Sequence, residues 1–508
     1  MKYNRSSGIL LHPTSLPGPD GIGDLGPEAF AWINFLADAG FTYWQVLPLG
    51  PTGYGDSPYQ CFSAFAGNPY LISPTLLLED NLLVPADLSD RPSFSPQSIQ
   101  FGEVISWKLT LLDRAYNHFI TNASKKLLKE YKKFQLEQFE WLDDFAMFMA
   151  LKESNGGESW NHWSAPLRQR KPTALAAFRK EYAGIIDKHV FRQFIFFRQW
   201  QEVLKYAHSK GIQIIGDIPI FIAYDSADAW ANPDLFYLDK KGLPTVVAGV
   251  PPDYFSPTGQ LWGNPLYRWN IHKKSGYAWW IKRFQASLQL YDLIRLDHFR
   301  GFAGYWEIPF GNPTAEFGRW VPGPGADLFE AINDALGSLP IIAEDLGEIT
   351  PDVIELRERF ELPGMRIAQF GFSTDPHDAF LPHNYPPRSI AYTGTHDNDT
   401  VRGWYDTAPE SERDLCRRYL ASSGEDISWD LIRAVWQSPA QVTVAPMQDF
   451  LSLGTDARMN FPGHASGNWG WRMLPGSCSV GLLERIKEVN FLYSRNRNFP
   501  PIAGKGHK

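Results

Sequence analysis

Seven short apolar runs recur along this chain, most of them closing on a polar or acidic side chain. They are TYWQVLPLG (42–50), IQIIGD (212–217), YDLIRLD (291–297), PIIAED (340–345), MRIAQFG (365–371), SIAYTGTHD (389–397) and QVTVAPMQD (441–449). None shows the regular polar–apolar alternation of a strand with one wet face. That is the pattern of strands covered on both sides, as in a parallel sheet flanked by helices. Helical patterns fill several of the intervals. Residues 189–211 are amphipathic, and Gly211 is placed to stop a helix just before the run at Ile212. Thr350 and Pro351 read as the N-cap and first position of a helix over 351–360. Strand–helix alternation over this length predicts an α/β fold in the form of a (β/α)8 TIM barrel. A doubly wound sheet is the alternative, weakened because no glycine-rich dinucleotide fingerprint follows an early strand.

The 508 residues suit one catalytic barrel carrying large insertions, and no repeat of domain size is visible. Residues 81–188 are charged and mainly helical in pattern. Residues 218–290 are rich in Pro, Gly and aromatic residues. Within them, the segment 247–265 carries four Pro and three Gly. It reads as a lid loop with Tyr254, Phe255 and Trp262 as its aromatic groups, against the alternative of a packed surface loop.

A net charge of −8 gives no reason to expect nucleic acid as a partner. The three cysteines, Cys61, Cys416 and Cys478, are sparse and unclustered, which fits a reducing compartment. The N-terminal Gly-Ile-Leu-Leu stretch is too short for a secretory core, and no run is long enough to span a membrane. The expected location is the cytoplasm.

In a (β/α)8 barrel the chemistry sits at the C-terminal strand ends. Asp217, Asp297, Glu344 and Asp397 fall at or just past such ends. A single acidic strand end is more often a helix cap or a loop ion pair; four of them converge on one mouth if the barrel is right. Converging carboxylates drive one another's pKa values apart. Two chemistries use that arrangement: an oxygen-ligand metal site, or glycoside cleavage by a nucleophilic carboxylate and a protonated acid. Arg295 lies two residues before Asp297, on the same face of its strand. A fixed cation there favours an ionised nucleophile and competes with a metal. His298 and His396 each adjoin a key Asp and can donate to sugar hydroxyls, or each can be an ordinary buried histidine.

IRLDHFRG (294–301), IIAEDLG (341–347), THDNDT (395–400) and GDIPIF (216–221) resemble four motif regions of the α-amylase superfamily. Together with LHPTSLPGPDGIGDLG (11–26), GYGDSPYQCFSAFAGNPYLIS (53–73) and ARMNFPG (457–463), they resemble the amylomaltase family of 4-α-glucanotransferases, from about residue 8 to about residue 495. The resemblance implies a barrel without a C-terminal β-sandwich, acting on α-1,4-glucans. It implies Asp297 as nucleophile, Glu344 as general acid/base and Asp397 as a third, stabilising carboxylate. Arg295, His298, His396 and Asp217 would line the donor-sugar site. Tyr54, Ser57 and Tyr59 would contact glucan from an early loop, Trp262 and Gln260 would belong to the lid, and Asn468 is a further candidate.

In the mechanism so implied, Asp297 and Asp397 are expected to help raise the pKa of Glu344, and no cofactor or metal is needed. The N-terminus lacks the basic, Ser-rich leader expected of a plastid form. The rival readings are an α-1,4-glucan hydrolase with the same carboxylates, a branching or α-1,6-acting enzyme, a metal-dependent hydrolase and a non-catalytic glucan-binding protein.

Overall fold

The structure, a computed structural model, describes residues 4–252, 256–373 and 375–497. Its strands in chain order are β1 (Ser6–Leu10), β2 (Tyr43–Gln45), β3 (Gln213–Pro219), β4 (Val246–Val250), β5 (Gln260–Pro265), β6 (Leu293–Asp297), β7 (Gly304–Pro309), β8 (Arg319–Pro322), β9 (Ile341–Ala343), β10 (Gly364–Ile367), β11 (Ser389–Tyr392) and β12 (Val442–Pro446). Eight of them close a parallel barrel in the order β1-β12-β11-β10-β9-β6-β3-β2. With helices between its strands, this is a (β/α)8 barrel, and among the described residues no strand follows β12.

Each of the seven apolar runs overlaps a barrel strand. The eighth, β1, is the fully buried SSGIL just before Leu11, and it closes the barrel by pairing with both β12 and β2. Five residues that open on Ser-Ser-Gly carry too little pattern to be read as a strand alone.

The strand period of two sorts side chains into barrel layers. Tyr43, Ile215, Leu293, Ile342, Met365, Ile390 and Val442 belong to one buried cluster that fills the barrel interior. Residues two further along a strand share that inward face. On β3 and β6 these are Asp217 and Arg295, paired in register, and then Pro219 opposite Asp297. The barrel thus has an apolar floor and a charged mouth. A second, larger cluster packs the outer strand faces against the helices.

The helix expected over 189–211 runs Ala183–Ser209, and Gly211 follows in the left-handed region (φ +71). Its N–H and that of Ile212 bond back to His208 and Ala207, closing the helix end. The second expected helix is Pro351–Arg359; Thr350 occupies the N-cap position, but its hydroxyl donates to the Asp352 side chain and caps no backbone N–H.

Between β2 and β3 lie the helices Phe101–Asn122, Lys125–Glu137, Phe139–Ser154 and Pro172–Glu181. Between β3 and β9, strands β4, β5, β7 and β8 form a separate antiparallel sheet in the order β5-β4-β7-β8. Much of the segment 247–265 is therefore a hairpin rather than an irregular loop: Gly249 pairs with Leu261 and Val250 with Gln260. Tyr254 and Phe255 lie outside the described residues. Among the described residues no helix is long and apolar enough to cross a membrane.

Candidate active site

Arg295 is the centre of the mouth. It is almost fully buried, and its Nη1 donates to Asp217 Oδ2 at 2.6 Å and to Asp297 Oδ1 at 2.9 Å. The strand register beneath sets this geometry, since Asp217 and Arg295 are direct neighbours across β3 and β6. Burial alone would lower the Arg295 pKa, but Asp217 and Asp297 outweigh it and hold the guanidinium charged. Asp217 is pushed up to about 6, by burial first and by the Asp297 charge, with Arg295 acting in the opposite direction. Its Oδ2 also accepts from the Tyr59 hydroxyl at 2.8 Å.

Glu344 follows β9 directly, on the same inward parity as Ile342. Its Oε2 accepts from the backbone N–H of His298 at 2.7 Å, and its Oε1 from that of Leu346 at 3.1 Å. Burial raises the Glu344 pKa well above the usual carboxylate range. The Asp297 and Asp345 charges add to this, while Arg295 and the His298 N–H oppose it. Asp345, the next residue, thus holds the place among the acidic neighbours that Asp397 was expected to fill.

Asp397 is the most open of the three, with nearly half of its side chain exposed. Burial alone would raise its pKa, but His396, the Asn460 amide and Arg295 together hold the carboxyl well below the usual range. Asn460 Nδ2 donates to its Oδ1 at 2.6 Å, and His396 Nε2 lies 3.3 Å from its Oδ2. Arg458 donates to its backbone carbonyl at 2.7 Å.

Rings brace this constellation. Tyr59 stacks on His396 at 5.0 Å and 19°, and Trp469 lies 5.8 Å from Tyr59. Trp262 on β5 presents an edge contact to His298 at 4.8 Å, and its indole N–H donates to Gln260 at 3.1 Å. His298 adopts a left-handed backbone (φ +51), unusual for a residue with a Cβ and a feature that clusters at functional sites. Burial lowers its pKa to about 4, so its imidazole is neutral near pH 7. Among the described residues, Asp217 Oδ1, Arg295 Nε and His298 Nε2 are buried polar atoms without a hydrogen-bond partner. Among the described residues no group of three or more His, Cys, Asp or Glu is placed to hold a metal ion; Arg295 already occupies the space between Asp217 and Asp297.

Asp217, Arg295, Asp297, His298, Glu344, His396, Asp397, Tyr59, Gln260 and Trp262 are linked by these contacts. Three other candidates behave differently. Tyr54 is 78% exposed, and the Ser57 hydroxyl accepts from the N–H of Tyr59 within its own loop. Asn468 spends its amide on its own loop, accepting from the Phe461 N–H and donating to the His464 carbonyl. The residue of that region that reaches the carboxylates is Asn460, inside the ARMNFPG motif. His12 was also missed; burial and the nearby His396 lower it to about 3, so it stays neutral. The motifs containing both residues were visible, but nothing in them marked which side chain turns inward.

The sequence profile of a family described as 4-alpha-glucanotransferase matches residues 11–477. A 4-alpha-glucanotransferase of Thermus thermophilus is 51% identical over 487 residues, covering 94% of this chain and 97% of the relative. One from Synechocystis is 49% identical, covering 97% and 99%. Among solved structures, the amylomaltase from Streptococcus agalactiae in complex with acarbose superposes with a TM-score of 0.94 at 40% identity, covering 97% of this chain and all of that one. With a converging set of carboxylates at the mouth of a closed barrel and this similarity along nearly its whole length, the chain belongs to the 4-alpha-glucanotransferase family.

Proposed function

We propose that this enzyme transfers a segment of an α-1,4-glucan to the 4-hydroxyl of an acceptor glucan or glucose by two displacements, with Asp297 as nucleophile and Glu344 as acid/base. One observation supports this most strongly. The two carboxyls stand on neighbouring strands in opposite electrostatic settings, Asp297 ion-paired to Arg295 and Glu344 buried with a raised pKa. Pairs whose environments separate their protonation states mark acid and nucleophile roles.

Asp297 attacks the anomeric carbon while protonated Glu344 gives its proton to the departing glycosidic oxygen. The α-1,4 bond breaks, the reducing-end fragment leaves, and a β-linked glycosyl ester remains on Asp297. Glu344, now ionised, removes the proton of the incoming 4-hydroxyl as that oxygen displaces Asp297. Two inversions give net retention. Asp397, held ionised by His396 and Asn460, is suited to accept hydrogen bonds from the 2- and 3-hydroxyls as charge develops on the ring. Neutral His298 lies at the same mouth, and Asp217, its side chain fully buried, supports the set from beneath by holding Arg295. No step moves electrons or phosphoryl groups, so the scheme needs no cofactor. Cys61, Cys416 and Cys478 are free thiols, which supports a cytoplasmic setting.

Incubation with maltotriose tests the reading. Transfer yields glucose together with a ladder of longer maltodextrins and no net gain of reducing ends. Rising reducing ends without longer products would replace transfer by hydrolysis.

A further inference from the structure

The last of the apolar runs, QVTVAPMQD, ends in Asp449, an acid that the scheme above does not use. It lies in the short helix Met447–Phe450 after β12 and is completely buried. Among the described residues it takes part in no ion pair. Its two oxygens go to two places: Oδ2 accepts from the Thr393 hydroxyl at 2.6 Å, and Oδ1 from the backbone N–H of Val401 at 2.8 Å. Thr393 follows β11 directly, and Val401 opens the helix Val401–Thr407. Between those two points runs the loop that carries His396 and Asp397.

We propose that Asp449 is a positioning residue: one buried carboxylate pins both ends of the loop 393–401 and so fixes where the Asp397 carboxylate and the His396 ring sit over the cleft. This rests on the reading of Asp397 as the carboxylate that stabilises the transition state. The rest of the loop is held in pieces. Thr395 bonds to Asn398 within it, Gln369 donates to the Asp399 carbonyl, and Thr455 donates to the Asp399 side chain. The Gln369 backbone N–H also reaches the Thr393 carbonyl, and Asp449 adds the bonds to the Thr393 hydroxyl and to the Val401 N–H that opens the next helix. A buried carboxylate without a cation carries a desolvation cost, and its two charge-assisted hydrogen bonds are what offset it. Misplacement of a catalytic group by about 1 Å costs on the order of a hundredfold in rate.

Four variants test this: Asp449→Ala, Asp449→Asn, Thr393→Val and Asp397→Ala, each assayed for kcat and KM with maltotriose at temperatures well below its own melting point. Asp449→Ala frees both loop ends, and kcat is expected to fall about ten- to a hundredfold with KM changed far less. Asp449→Asn keeps an acceptor for Val401 and can donate to Thr393 once that hydroxyl turns, so it is expected to restore most of the rate. Thr393→Val releases one end only and is expected to fall between the two; it reads the same loop if Asp449→Ala does not accumulate. Asp449→Ala or Thr393→Val with lowered melting temperature but wild-type kcat would overturn the proposal, as would Asp449→Asn as impaired as Asp449→Ala. An active Asp397→Ala would overturn instead the role of Asp397 on which the proposal rests.

Discussion

The backbone N–H of His298 donates to Glu344 Oε2 at 2.7 Å. His298 directly follows Asp297, so this bond ties the proposed acid/base to the backbone that carries the proposed nucleophile. A second bond crosses the same pair of strands, from the Phe299 N–H to the Glu344 carbonyl. The separation of the two carboxyl groups is therefore set by barrel backbone as much as by side-chain rotamers.

Asp297→Ala is expected to abolish turnover while glucan binding and the melting temperature stay near wild type. Arg295 keeps its bond to Asp217, so the guanidinium is not left unpaired. Retention of more than a few per cent of kcat would remove Asp297 from the covalent role.

Glu344→Gln can neither donate nor accept the required proton, a loss of about 10²–10⁴-fold with natural glucans. A donor that needs little protonation, such as an α-glucosyl fluoride, should still react with Asp297 and then stall. Intact-protein mass spectrometry should show a sugar adduct on that residue. Equal losses for both donors, with no adduct, would give Glu344 another task.

In the proposed scheme Glu344 must be protonated to act first, so its raised pKa is expected to set the alkaline limb of the kcat/KM profile. Asp345 is buried beside it and bonded to Arg357 and to the Met365 N–H, and its charge adds to that rise. Asp345→Asn removes the charge while an amide oxygen can still serve Met365. Lower repulsion makes the Glu344 proton easier to lose, so the alkaline limb should move to lower pH. A limb that does not move would show that Asp345 leaves the acid untouched.

Trp262 bears on how transfer competes with water, present at about 55 M against millimolar acceptor. It stands edge-on to His298 at the proposed cleft. Trp262→Ala is expected to lower transfer more than hydrolysis, raising the ratio of reducing ends released to transfers completed. If Trp262 only anchors its hairpin, both rates fall together, the melting temperature drops and the ratio stays constant.

Asp228 offers a stability test away from the chemistry. It is buried, accepts from the Ala64 N–H at 2.8 Å, and burial raises it from 3.8 to about 6. The folded state then holds a proton that the unfolded chain has already lost, so this group lowers stability as pH rises from about 4 to about 6. Asp228→Asn should remove that slope, worth about 2 kcal/mol between those limits. Denaturant midpoints of both proteins at pH 4 and pH 7 measure it; parallel pH dependences would refute the assignment.

The sequence by itself determined the barrel and its acidic mouth. Buried strands need continuous apolar runs, and the period of two then fixes that Arg295 and Asp297 share a face whatever surrounds them. Three elements were beyond local reading. The strand Ser6–Leu10 is too short to declare itself and becomes a strand only because two neighbours supply its partners. The hairpin around Gln260 and Trp262 depends on pairing of β5 with β4, and sequence this rich in Pro and Gly looks like loop when taken alone. Asn460, not Asn468, reaches Asp397 because closure of the barrel brings together residues 63 apart in the chain. Only the tertiary structure decided those pairings, along with the 2.6 Å contact of Arg295 with Asp217 across 78 residues. Burial and charge at a site are sums over neighbours remote in sequence. Periodicity reports which way a side chain points, and the closed fold decides what it meets.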